Sequence, residues 1–96
     1  MVITITAIFK CDPEFLVQLK NLFEPLVAAT RKEEACIQYD LHQSNEDENI
    51  FIMMEQWADD QGFDQHLKTN HFITFAEQVP PLLTAPLQII KSVKIM

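Results

Sequence analysis

The segment VITITAIFK, residues 2–10, constrains the fold more than any other. Its β-branched side chains favour extended backbone. Ile3, Ile5, Ala7 and Phe9 fall on one row, and Val2, Thr4, Thr6 and Ile8 on the other. Both rows are largely apolar, as in a strand covered on both faces. A chain of 96 residues buries only roughly 60–65% of its unfolded surface, so it has little material for two layers of cover. Helices are expected on one sheet face and a second copy of the chain on the other, making a homodimer.

The other elements follow from local signals. Asp12 can cap a helix and Pro13 suits its first turn. Phe15, Leu16, Leu19, Leu22, Phe23, Leu26 and Val27 then recur at helical spacing. Pro25 lies inside that stripe and is expected to kink the helix, which runs to about Arg31. Cys36–Gln43 and Ile50–Trp57 read as a hairpin around the polar turn Ser44–Asn49. Asp59 and Asp60 open a second helix, with Phe63 and Leu67 as its core pair. Thr69 and Asn70 interrupt it, and Phe72–Val79 forms a further short helix. Residues 80–86 are a proline-rich loop, and Leu87–Ile95 is the last strand. The predicted order is β-α-β-β-α-β, the ferredoxin-like α+β arrangement, as one domain over residues 1–96.

Charge and cysteine usage narrow the function. The net charge is −7 and there is no basic run, which argues against nucleic acid and anionic membranes. No apolar run approaches a membrane span, and MVITITAIFK lacks the cationic start of a signal peptide. A cytoplasmic protein is expected. Cys11 and Cys36 read as small core residues, with no CxxC or Cys/His cluster. Gly62 is the only glycine, so no glycine-rich nucleotide cradle can form.

Chemistry concentrates in EQWADDQGFDQHLKTNHF, residues 55–72. Strand alternation puts Glu55 on one face with Phe51, Met53 and Trp57. A carboxylate among these groups is either tied to a structural partner or poised as a proton acceptor or substrate anchor. His66 and His71 are five residues apart, about 140° around one unbroken helix. Metal-binding histidines on a helix need an i, i+4 offset, so no metal site is expected. A break near Thr69–Asn70 would instead let both rings face one pocket. His42, on the hairpin, reads as surface. Trp57, Phe72, Phe75 and the Met53–Met54 pair are either pocket walls for a flat ligand or plain core.

These blocks resemble the antibiotic biosynthesis monooxygenase family, particularly its small single-domain quinol monooxygenase members. The matching residues are Glu34, Cys36 and Tyr39, then E-x-W at Glu55 and Trp57, then H-x-x-T-x-H-F at His66, Thr69, His71 and Phe72. Ala35 stands where the family usually has Gly. The resemblance implies a ferredoxin-like homodimer whose sheets pack into a dimeric α+β barrel. It also implies oxidation of quinol-like or polycyclic phenolic aromatics by molecular oxygen, without metal, flavin or haem. On that basis His66 is the expected acid/base group and Glu55 its support. Trp57, Tyr39, His71, Phe72, Met53 and Phe51 are the expected substrate-binding residues. Two other readings are an acid/base isomerase of a small phosphorylated carbonyl compound and a non-catalytic dimeric ligand-binding module.

Overall fold

The computed structural model describes residues Met1–Met96. The chain forms strand β1 (Ile3–Lys10), helix α1 (Leu16–Thr30), strands β2 (Cys36–Gln43) and β3 (Ile50–Trp57), helices α2 (Asp60–His66) and α3 (Asn70–Gln78), and strand β4 (Gln88–Ser92). All pairings are antiparallel, and the sheet order is β2-β3-β1-β4. This is the ferredoxin-like α+β fold expected from the element order.

The strand rows separate as alternation requires. Ile3, Ile5, Ala7 and Phe9 of β1 are buried beside Phe51, Met53, Glu55 and Trp57 of β3. Helix α1 covers them with Leu19, Phe23 and Leu26. Phe23 is edge-on to Phe9 at 5.0 Å and lies 5.2 Å from Phe75 of α3, so one aromatic cluster ties both helices to the sheet. The opposite sheet face interleaves Thr4, Thr6 and Gln56 with Ile8, Ile52, Met54 and Ile90. It is less uniformly apolar than the sequence suggests.

Local details differ from expectation at several points, including α3, which starts at Asn70 and not at Phe72. The first turn after Asp12 is a 3-10 turn over Pro13–Phe15, and α1 proper starts at Leu16. Pro25 faces solvent inside α1, where the loss of one backbone bond is tolerated. The last strand ends at Ser92 because only Gln88–Ser92 finds partners on β1, and every β4 residue is exposed.

Gly62 has a steric role. A Cβ added there would overlap the Cβ of Ala35. The methyl group of Ala35 thus occupies the space that Gly62 leaves. Gly62→Ala should lower stability by about 1–3 kcal/mol through overpacking, and adding Ala35→Gly should restore part of it. Urea unfolding of the two single variants and the double variant measures this; equal stability of Gly62→Ala and wild type would remove the constraint.

Candidate active site

Three turns, two of them capped by side chains, build the site. Asp59 caps α2 by accepting a hydrogen bond from Gly62 N at 2.7 Å. Thr69 caps α3: its hydroxyl accepts from Phe72 N at 3.3 Å and donates to the carbonyl of His66 at 2.7 Å. That one hydroxyl links the last residue of α2 to the start of α3. The third turn joins α1 to β2. Glu33 N donates to Thr30 O, and Cys36 N donates to Glu33 O.

These turns bring three side chains together. His66 Nδ1 lies 2.7 Å from Glu33 Oε2, and His71 Nε2 lies 2.8 Å from the same oxygen. The break at Thr69 gives each helix its own phase, so the 140° separation of one continuous helix does not apply. Spacing therefore fails as an argument against a shared site for the two rings.

His66 is 1% exposed. Its ring lies 4.6 Å from Trp57, 5.0 Å from Phe72 and 5.6 Å from Tyr39. Burial pushes its pKa below the ordinary histidine value, against the opposing pull of Glu33. The ring is neutral at pH 7, and the anionic Glu33 selects the tautomer in which Nδ1–H donates. Nε2 then carries the lone pair and has no hydrogen-bond partner from the chain.

His66 and Glu55 both line an apolar cavity of about 520 Å³. The cavity lies between the inner sheet face, α2, α3 and the segment around Leu83–Leu87. Ile5, Phe9, Phe63, Phe72 and Phe75 supply much of its wall. Glu55 accepts a hydrogen bond from Trp57 Nε1 at 2.9 Å. Burial nonetheless raises its pKa to about 7, helped by the charge of Glu33. Tyr39 also lines the cavity, and burial pushes its phenol upward, so it stays protonated. The thiols are passive: burial raises Cys36 to about 11 and raises Cys11 as well.

The expected site residues divide into groups. His66, Glu55, Tyr39 and Phe72 share the cavity. Trp57, Met53 and Phe51 are core residues, at most 2% exposed and outside the cavity wall, because they pack beneath α1 and α2. Trp57 instead supports the wall from behind, through Glu55 and the His66 ring. His71 is half-buried on the outer side of Glu33 and does not reach the cavity. Phe63 and Leu67 are not sealed core but half-buried cavity wall. Glu33, not Glu55, holds His66, while its neighbour Glu34 is exposed. The only sequence signal for Glu33 is the Glu33–Glu34 pair in a short turn, which does not say which carboxylate points inward.

Comparison with known proteins supplies the chemical context. The profile of the family described as "Antibiotic biosynthesis monooxygenase" matches residues 1–78. The chain is 34% identical to "Putative monooxygenase YcnE" of Bacillus subtilis (strain 168) over 90 residues, 94% of this chain and 95% of the relative. The crystal structure of PA3566 from Pseudomonas aeruginosa superposes with a TM-score of 0.92 at 34% identity, covering 99% of this chain and 95% of that one. The structure of Rv0793 from Mycobacterium tuberculosis, at 24% identity, shares the fold with a TM-score of 0.96, covering 100% of this chain and 97% of that one.

Proposed function

Because the chain belongs to the antibiotic biosynthesis monooxygenase family, we propose that it is a cofactor-independent monooxygenase that oxidises quinol-like or polycyclic phenolic aromatics with molecular oxygen. The observation that carries this reading is the neutral, Glu33-oriented His66 in the wall of an apolar cavity, with Glu55 lining the same cavity at a pKa of about 7. One group suits proton removal and the other proton return.

The steps balance as follows for a substrate with a reactive CH2 conjugated to a phenol. His66 Nε2 takes one C–H proton, and the delocalised carbanion gives electrons to oxygen. Recombination forms a C–O–O⁻ group, which takes a proton from Glu55. Glu55, now a carboxylate, takes the second C–H proton as the O–O bond breaks to give a carbonyl, and the departing hydroxide takes the proton held on His66 and leaves as water. The carbon is oxidised by four electrons and one oxygen molecule is reduced by four. The cavity volume suits a small polycyclic ring system, and its apolar wall excludes water from the carbanion. No Lys or Arg lines the cavity, which weighs against a phosphorylated substrate. The single glycine weighs against a nucleotide-type cofactor.

The same proposal takes the chain as one domain that acts in the cytoplasm as a homodimer. The apolar residues Ile8, Ile52, Met54 and Ile90 on the helix-free sheet face support it. No helix is long and apolar enough to cross a membrane. Light scattering at micromolar concentration should give twice the 11.1 kDa chain mass.

The test of function is oxygen uptake by chelator-treated protein with a panel of hydroquinones and anthrones, read above the no-enzyme autoxidation rate. Uptake that tracks protein concentration and persists with chelator is the expected result. Uptake no faster than autoxidation across the panel would overturn the oxygenase reading.

A further inference from the structure

The Glu33–His66–His71 cluster lies behind the cavity wall, and proton removal at His66 Nε2 leaves its other side unexplained. His66 Nδ1, His71 Nε2 and a Glu33 carboxylate oxygen all lie within 4.8 Å of one another. Each comes from a different element: the α1–β2 turn, the end of α2 and the start of α3. Two imidazoles and one carboxylate meeting at a point form the donor set that first-row transition cations prefer. Magnesium and calcium prefer all-oxygen sites, which this is not. Bond lengths of about 2.0–2.2 Å to zinc require ligand atoms roughly 3.0–3.5 Å apart. The 2.7 and 2.8 Å carboxylate–imidazole separations need to open slightly to reach that range, and the two imidazole nitrogens, within 4.8 Å of each other, need to settle into it by side-chain rotation. Glu33 and His71 are 16% and 26% exposed, so a cation can enter from the outer side without passing through the cavity. Thr69, bonded to the His66 carbonyl, holds the two helix ends in register.

We propose that Glu33, His66 and His71 form a binding site for a divalent transition cation of the Zn²⁺ type, and that the bound cation switches off the base in the cavity. The second half follows from tautomer chemistry. A cation on His66 Nδ1 needs the lone pair of that nitrogen, so the ring proton moves to Nε2. Nε2, the nitrogen not held by Glu33, then becomes a donor and can no longer accept a substrate proton. The His66 ring keeps its single proton, which only changes nitrogen. The binding half stands without the oxygenase reading; the switching half rests on it.

The direct test titrates Zn²⁺ into the metal-free full chain by calorimetry, with Co²⁺ visible absorption as a second probe. Wild type should bind one ion per chain. His71→Ala and Glu33→Gln should each weaken binding by at least roughly 10- to 100-fold, the loss typical of removing even an outer-shell partner. His71 is partly exposed, and unchanged far-ultraviolet circular dichroism of its variant separates a lost ligand from a lost fold. A Zn²⁺ affinity unchanged in both variants, or no binding by wild type, would overturn the site. In a parallel oxygen-uptake assay, Zn²⁺ should inhibit wild type at the occupancy measured by calorimetry. Tight binding without inhibition would overturn the switch and keep the site. Absent uptake in any sample would count against the oxygenase reading and leave the binding result standing.

Discussion

Replacing His66 with alanine is expected to lower enzyme-dependent oxygen uptake by about 100-fold or more, the usual contribution of a positioned general base. The prediction follows from three features of the site. His66 is the histidine in the cavity wall, its pKa is depressed so that it starts neutral, and Glu33 engages its Nδ1–H so that Nε2 keeps the lone pair. Alanine removes both the lone pair and a buried ring, so stability must be checked. His66→Gln is the companion variant, since it keeps a polar side chain of similar reach but cannot accept and hold a proton. Both variants should lose turnover while retaining a cooperative thermal transition. Turnover within a few-fold of wild type in His66→Gln would remove His66 from the proton-transfer step. For wild type, the acid limb of kcat/KM should fall below the ordinary histidine range, because burial depresses the His66 pKa.

Glu55→Gln carries the second large effect, on stability as well as rate. The folded pKa of Glu55 is about 7 against an ordinary value of 4.5, with burial the dominant cause. Between those values the native state holds a proton that the unfolded chain has released. Stability from this group is therefore fully present below about pH 4.5 and is lost as pH rises through 7. Glutamine keeps an acceptor for Trp57 Nε1 and has no charge to bury. Relative to wild type, the variant should gain stability across this window, by about 3 kcal/mol at most above pH 7. The His66 contribution has the opposite sign, since a depressed histidine pKa makes acid destabilising, but it is common to both proteins and cancels in the difference. Urea unfolding at pH 5 and pH 8 measures the effect; a constant difference between the two proteins would show that Glu55 is ionised normally. The same variant should slow turnover and flatten the alkaline limb that wild type shows near pH 7, because the proton donor to the peroxide is gone.

Much of the fold was legible in the sequence because short-range rules govern it. Alternation in Ile3–Phe9 and Phe51–Trp57 grouped the residues that share a face, since a strand has no freedom to rotate individual side chains, but which β1 row lies beneath the helices came from the fold. Asp59 marked a real helix start, because a side-chain oxygen there satisfies otherwise unpaired backbone donors, whereas Thr69, read only as an interruption, caps a helix that begins at Asn70 and not at Phe72. The family blocks led to His66, Glu55, Tyr39 and Phe72, which share the cavity. Phe51, Met53 and Trp57 had the right residue types but lie in the core, because whether an inward row meets a helix or a void is not a property of the strand itself.

What only the tertiary structure decided is the pairing of groups distant in the chain. Glu33 and His66 are 33 residues apart, and Glu33 and His71 are 38 apart. Their meeting depends on how the α1–β2 turn packs against the α2–α3 corner, and no local periodicity encodes that geometry. The ionisation of Glu55 has the same origin. Its place on an apolar row is written in the sequence, but its pKa depends on how completely the fold removes water and how near it brings the charge of Glu33. Local backbone preference is settled over a few residues and can be read from them, whereas desolvation and charge proximity are sums over the whole packed chain.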